Sequence, residues 1–171
     1  MIVKMKKVLV IGCSGAGKST FAKRIASKTA LRYIATDPFY WGSDWKLVSD
    51  EKVLERVYRA TSEETWILDG NFDSERKMVW QRADTIIWLD YSFLQVLTQV
   101  TRRNLALWLS QNPTWSGNRM TWKRAWSGIR HSVKSHRRKR LIYPDYLASL
   151  DDIQVLHFTK SQEAEAWLTT L

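Results

Sequence analysis

Lys7-Val8-Leu9-Val10-Ile11-Gly12-Cys13-Ser14-Gly15-Ala16-Gly17-Lys18-Ser19-Thr20 runs from a short apolar stretch, through three glycines, to a lysine followed by two hydroxyls. Apolar residues bounded by glycine predict a buried strand over 7–11. Phe21, Ala22, Ile25 and Ala26 share one face of a predicted helix from Lys18 to Lys28. Between them, Gly12 to Ser19 carries two glycines, a lysine and a hydroxyl at the spacing of a phosphate-binding loop, in the strand–helix context such a loop requires. Glycines let successive N–H groups turn inward onto phosphate oxygens, and the helix adds its positive N-terminal end. Gly12, Ser14, Gly15, Ala16, Gly17, Lys18, Ser19 and Thr20 are therefore expected to hold ATP, or a similar triphosphate, with Mg²⁺. Lys18 would reach the β- and γ-phosphates and the Ser19 hydroxyl would ligate the ion. Cys13 reads as a small loop filler.

Outward from this loop, strands and helices alternate. Strands are expected over 31–35, 65–68, 85–89 and 153–158, with helices over 49–62, 93–110, 121–141 and 163–168. Ser49 is placed to cap the first of these helices, with Asp50 and Glu51 in its opening turn. Residues 36–48, holding Phe39, Tyr40, Trp41 and Trp45, read as an aromatic-rich loop, and 111–118 as a polar turn. The alternation predicts an α/β protein, a parallel sheet covered on both faces, in one domain spanning 1–171.

The chain has 171 residues, a net charge of +10 and one cysteine, which excludes an internal disulfide and a cysteine-rich zinc site. Lys4, Lys6 and Lys7 precede an apolar run too short for a signal sequence, and no stretch is long enough to span a membrane. A cytoplasmic protein, monomer or homodimer, without a membrane partner is expected. Charge is unevenly placed: no Asp or Glu occurs from Tyr91 through Pro144, and eleven Lys and Arg side chains crowd 102–140. Such a block implies an anionic partner: nucleotide, polynucleotide or acidic lipid.

With the loop in place, the chain resembles the nucleoside and nucleotide kinases of the adenylate kinase type, and more closely the bacterial DNA topology modulation (FlaR-type) proteins. The resemblance covers nearly the whole chain. It rests on the phosphate loop, Asp37 with Tyr40-Trp41, Trp66-Ile67-Leu68-Asp69-Gly70-Asn71 and Ala83-Asp84-Thr85-Ile86-Ile87-Trp88-Leu89-Asp90. It implies a three-layer P-loop fold with five parallel strands in the order 2-3-1-4-5 and a basic helical lid over about 103–145. It also implies that an acid at Asp37, just beyond the second strand, orients or deprotonates an acceptor hydroxyl; the plain alternative is a turn aspartate before proline. Asp69 would hold a water of the Mg²⁺ shell, Asp90 would cap the next helix, and Arg103 would meet phosphate. Thr159 would begin the wall of the adenine site. Asn71-Phe72-Asp73 stands where adenylate kinases carry an arginine for an acceptor phosphate.

On the 121–141 helix, Trp122, Trp126, Ile129 and Val133 form an apolar stripe, read as core. Arg119, Lys123 and Arg124 are the expected lid cations, closing over the triphosphate. Arg137, Arg138, Lys139 and Arg140 form a distal cluster, either a solvated helix end or a contact for nucleic acid. These residues together predict a small-molecule kinase with an unidentified acceptor. The alternatives are an ATP-dependent nucleic-acid-binding protein or a regulator with slow hydrolysis.

Overall fold

A computed structural model describes residues 5–73 and 76–171, the side chains at 76 and 77 excepted. Lys4, part of the basic run before the first strand, lies outside the described residues. Five parallel strands, β1 (Lys7–Gly12), β2 (Tyr33–Ala35), β3 (Trp66–Asp69), β4 (Thr85–Leu89) and β5 (Gln154–Phe158), lie in the order β2-β3-β1-β4-β5. The expected five-stranded parallel sheet and its strand order hold. β1, β3 and β4 are buried on both faces, which explains why their apolar residues run on without alternating.

Seven α-helices accompany the strands among the described residues: α1 (Lys18–Lys28), α2 (Asp37–Tyr40), α3 (Asp50–Thr61), α4 (Arg76–Trp80), α5 (Phe93–Ser110), α6 (Trp122–Ala148) and α7 (Ser161–Thr169). One face of the sheet packs on Phe21, Ala22 and Ile25 of α1, Val96 of α5, and Ala164 and Leu168 of α7. The other packs on Val53 and Val57 of α3, Trp80 of α4, and Tyr143 and Leu147 of α6. Every strand is carried to the same edge by the registers Gly12 with Leu89, Leu89 with Phe158, and Ala35 with Asp69. The loops that could bind a ligand leave from that edge.

Several expectations are corrected. Residues 36–48 are organised: α2 is followed by a bridge from Trp41 to Leu47, and strand β2 starts at Tyr33 instead of Leu31. Ser49 stands at the α3 N-cap, but its hydroxyl makes no capping bond. Helix α6 does not stop at Leu141. It continues through Pro144 to Ala148, because Tyr143 and Leu147 are buried against Trp80 and Trp88; that packing outweighs the bond proline cannot make. Finally, the stripe Trp122, Trp126, Ile129 and Val133 is not core: Trp122, Trp126 and Val133 are exposed and Ile129 is half-buried. The buried face of α6 is Ala125, Ser132, Ser135, His136, Lys139, Tyr143 and Leu147.

Candidate active site

The loop after β1 is held from behind by polar contacts. Asn71, just past β3, accepts the Gly12 N–H at 2.9 Å. Helix α6 presses its polar face on the loop: Ser132 Oγ donates to Ser14 O at 2.5 Å, and the Cys13 thiol lies 3.1 Å from Ser135 Oγ. Cys13 is thus a buried fastening between loop and helix. Gly15 adopts φ 93° with α5 behind it, so that a Cβ there would sit 2.8 Å from Val100 Cβ. Gly17 adopts φ 85°, and open space lies where its Cβ would point. Bulk is forbidden behind the loop and absent in front of it.

The N–H groups of Ser14, Gly15, Gly17, Lys18, Ser19 and Thr20 have no acceptor among the described residues. They converge at the N-terminus of α1, where an anion is favoured. The Lys18 ammonium folds back to donate to Cys13 O at 3.1 Å. Burial pushes its pKa down, while Asp37 and Asp69 pull it back up and Arg103 opposes them. The cradle therefore has amide donors to spare for a polyphosphate.

Carboxylates stand opposite. Asp69, at the end of β3, is buried and accepts the Thr36 N–H at 3.3 Å, and Thr36 Oγ1 donates to Asp69 O. Tyr33 completes this corner. Its hydroxyl interacts with Asp69 and Ser19, and burial together with the Asp69 charge holds its pKa above the ordinary phenol value. Asp37 opens α2, with Pro38 in the first turn. Burial raises its pKa, Lys18 lowers it, Asp69 raises it and Arg103 lowers it. Asp37, Lys18, Asp69 and Arg103 therefore share one electrostatic field. Among the described residues no three His, Cys, Asp or Glu side chains gather as a metal cage. Ser19 and Asp69 suit Mg²⁺, which keeps most of its waters and takes few protein ligands.

Arg103, on α5, extends over the loop to 3.5 Å from Ser14 Oγ, and its Nε donates to Asn104 Oδ1. Burial of the guanidinium lowers its pKa and Asp37 offsets this; because much of the residue remains open to water, the effect is screened. Gln99, one turn earlier, is exposed. Thr159, beyond β5, is exposed and its hydroxyl lies 3.5 Å from Glu163. Asp90 is no helix cap. Ser92 takes that role for α5 by accepting the Gln95 N–H, while Asp90 pairs with Arg140 at 2.8 Å and His157 at 3.2 Å.

The expected lid cations separate. Arg124 donates to Trp45 O at 3.4 Å and lies 5.5 Å from the Trp45 ring and 5.6 Å from that of Trp41, so it is engaged with the 36–48 segment. Arg119 and Lys123 are exposed. The turn before α6 is clasped to 36–48: Trp45, Trp41 and Trp115 pack edge to face, and Ser116 Oγ donates to Trp41 O at 2.7 Å. Three of the four distal cations are engaged in pairs, while Arg137 is exposed. Arg138 and Lys139 pair with Asp73, Arg140 with Asp90, and Lys139 is buried beside Tyr143, whose hydroxyl accepts its ammonium at 2.9 Å.

Tyr33, Thr36, Asn71 and Asn118 were not singled out as site or clasp residues by the sequence. Asn71 could have been, since it follows the strand paired with β1.

No family model matches this sequence, and a comparison with curated proteins finds no match. Solved structures do match in fold. A sugar kinase from Janibacter sp. is 16% identical, with a TM-score of 0.52 and coverage of 96% of this chain and 91% of its own. A shikimate kinase from Acinetobacter baumannii, in complex with shikimate, is 13% identical, with a TM-score of 0.58 and coverage of 98% and 90%. A gluconokinase from Sinorhizobium meliloti is 16% identical, with a TM-score of 0.54 and coverage of 96% and 92%. At these identities the likeness is one of fold: the chain has the fold of P-loop kinases.

Proposed function

We propose that this protein is a kinase that transfers the γ-phosphoryl group of ATP to a hydroxyl of a small molecule. The observation that carries the reading is the shared field of Asp37, Lys18 and Arg103: a carboxylate at the mouth of β2 faces the two cations that a triphosphate would bring into play. The fold neighbours add support, being kinases of a sugar, shikimate and gluconate by name.

In this reading the free amides of Ser14, Gly15, Gly17, Lys18, Ser19 and Thr20 and the Lys18 ammonium bind the β- and γ-phosphates, and Gly12 and Ala16 shape the turn. Ser19 and, through water, Asp69 hold Mg²⁺, which when bound neutralises phosphate charge. Asp37 accepts the proton of the acceptor hydroxyl as its oxygen bonds to the γ-phosphorus. The bond to the β-phosphate oxygen breaks, and ADP leaves. Arg103, with Arg119, Lys123 and Arg124 from the clasped turn, offsets the charge gathering on the transferred group. Thr159 borders the base. An acceptor that is itself a monophosphate is disfavoured, because Asp73 occupies the segment where a cation would be needed and Arg138 and Lys139 pair with it.

The test is a screen for transfer from labelled ATP to nucleosides, nucleotides, sugars and hydroxy acids, alongside calorimetry on Lys18→Ala. Each charged hydrogen bond lost is worth about 1.5–3 kcal/mol, so affinity for ATP with Mg²⁺ should fall roughly tenfold to a hundredfold or more. Unchanged affinity in the folded variant would remove the nucleotide assignment.

A further inference from the structure

Exposed indoles and unpaired cations meet on the outer side of the α5–α6 pair. Trp122 and Trp126 are 59% and 56% exposed, and Leu105 and Leu109 on α5 are 46% and 67% exposed. Trp108 joins the two groups, its ring 5.7 Å from that of Trp122. Contiguous apolar surface of this kind marks an interaction site more often than an accident of folding. Alongside stand two exposed cations one helical turn apart, Arg130 and Lys134, which make no ion pair among the described residues. No acid occurs between Tyr91 and Pro144 to neutralise them.

We propose that this face docks on the surface of an anionic lipid bilayer, with the tryptophans and leucines entering the headgroup boundary and the cations meeting lipid phosphates. The mode is peripheral; no helix among the described residues is long and apolar enough to cross a membrane. The proposal is independent of the kinase reading.

Ring geometry and charge separate this occupant from two others. A single-stranded nucleic acid needs open ring faces on which bases stack. Trp122 and Trp126 turn one face each toward the other, 23° from parallel at 6.2 Å, which leaves less ring surface for bases, and the neighbouring leucines add apolar surface that suits lipid rather than a base. A second copy related by a twofold axis would bring the same cations against themselves, with no acid in either segment to meet them. A bilayer uses both features. Apolar side chains bury about 5–10 Å into the boundary, and each Lys or Arg near an anionic surface adds attraction.

Flotation of the full chain with vesicles tests this. Protein should float with vesicles of phosphatidylcholine mixed with phosphatidylglycerol and stay behind with phosphatidylcholine alone. Arg130→Gln with Lys134→Gln should weaken binding about fivefold per charge removed. Trp122→Ala with Trp126→Ala should abolish it, and thermal unfolding of each variant should show an intact fold. Three results would overturn the proposal: no flotation with the mixed vesicles, binding of a single-stranded oligonucleotide that disappears in the tryptophan variant, or a concentration-dependent dimer that disappears in that variant.

Discussion

Asn118 holds the main chain of Trp45: the Trp45 N–H donates to Asn118 Oδ1 at 2.9 Å, and Asn118 Nδ2 donates to Gly42 O at 2.9 Å. Asn118 is buried, so water does not compete for these bonds. Both sides of the clasp carry non-glycine residues at positive φ, Asp44 and Trp45 on one and Ser116 on the other. Such backbone is held only by its surroundings. Asn118→Ala should strand these groups at a cost of about 1–3 kcal/mol to the clasp. Hydrogen exchange at the Trp45 amide should accelerate while ATP affinity stays unchanged. An unaltered exchange rate would mean that the indoles alone hold the segments together.

Asp37 is the next test. Burial raises its pKa, so it takes up a proton at a higher pH than an ordinary aspartate as the solution is acidified. If it is the base, transfer falls on the acid side with a midpoint above the usual aspartate value. Asp37→Asn should keep ATP affinity and lower turnover by about 10²- to 10⁴-fold, without that acid limb. Wild-type turnover in the variant would reduce Asp37 to a turn residue.

The two ends of the basic segment should separate in a transfer assay. Neutralising Arg119, Lys123 and Arg124 together is expected to remove most turnover. Arg138→Gln and Arg140→Gln should leave it near wild type, because those side chains pair with Asp73 and Asp90 rather than facing the loop. Equal losses from both sets would place the distal end in the reaction after all.

Lys139 gives a stability signature. Burial lowers its pKa from 10.5 to about 8, against the pull of Asp73. Between those values the unfolded chain carries the proton and the folded chain does not, so stability from this group rises with pH across that window. Relative to Lys139→Met, the wild type should gain about 3 kcal/mol from pH 8 to 10.5. Denaturant titrations at both ends of the window measure it, and a flat difference would show that Lys139 titrates normally.

The strand–loop–helix unit at the N-terminus was fully legible, because each piece depends only on neighbours in sequence. α1 runs from Lys18 to Lys28 as expected, and β4 and α5 match equally well. What escaped depends on distant partners. The 36–48 segment owes its form to Asn118 and Trp115, about seventy residues on, and no local pattern reveals that. Helix α6 misled in a more instructive way. Hydrophobic periodicity assigns the core to Trp122, Trp126, Ile129 and Val133, yet the buried side of its middle is Ser132, Ser135, His136 and Lys139. That side faces a loop of carbonyls and a thiol, together with Tyr91 O and Asp73, so hydroxyls, imidazole and ammonium are its proper complement. Tyr33 left no trace in sequence, since a tyrosine in a strand has no pattern that separates a site hydroxyl from packing.

Helix α6 touches α5 through the bond from Asn104 to Ala125 O, the phosphate loop through Ser132 and Ser135, and the core through Tyr143 and Leu147. These contacts lie along one unbroken helix, so their angular phases are locked to one another. Each residue turns the helix by about 100°. A single residue inserted or deleted between Ala125 and Tyr143 would swing one end round relative to the other, taking either the serines off the loop or the tyrosine out of the core. The spacing of the helix is thus a tolerance as strict as any side chain's identity. Length variation in this part of the chain is more readily absorbed at 112–113, ahead of the clasp residues Trp115, Ser116 and Asn118, where no helical phase has to be kept.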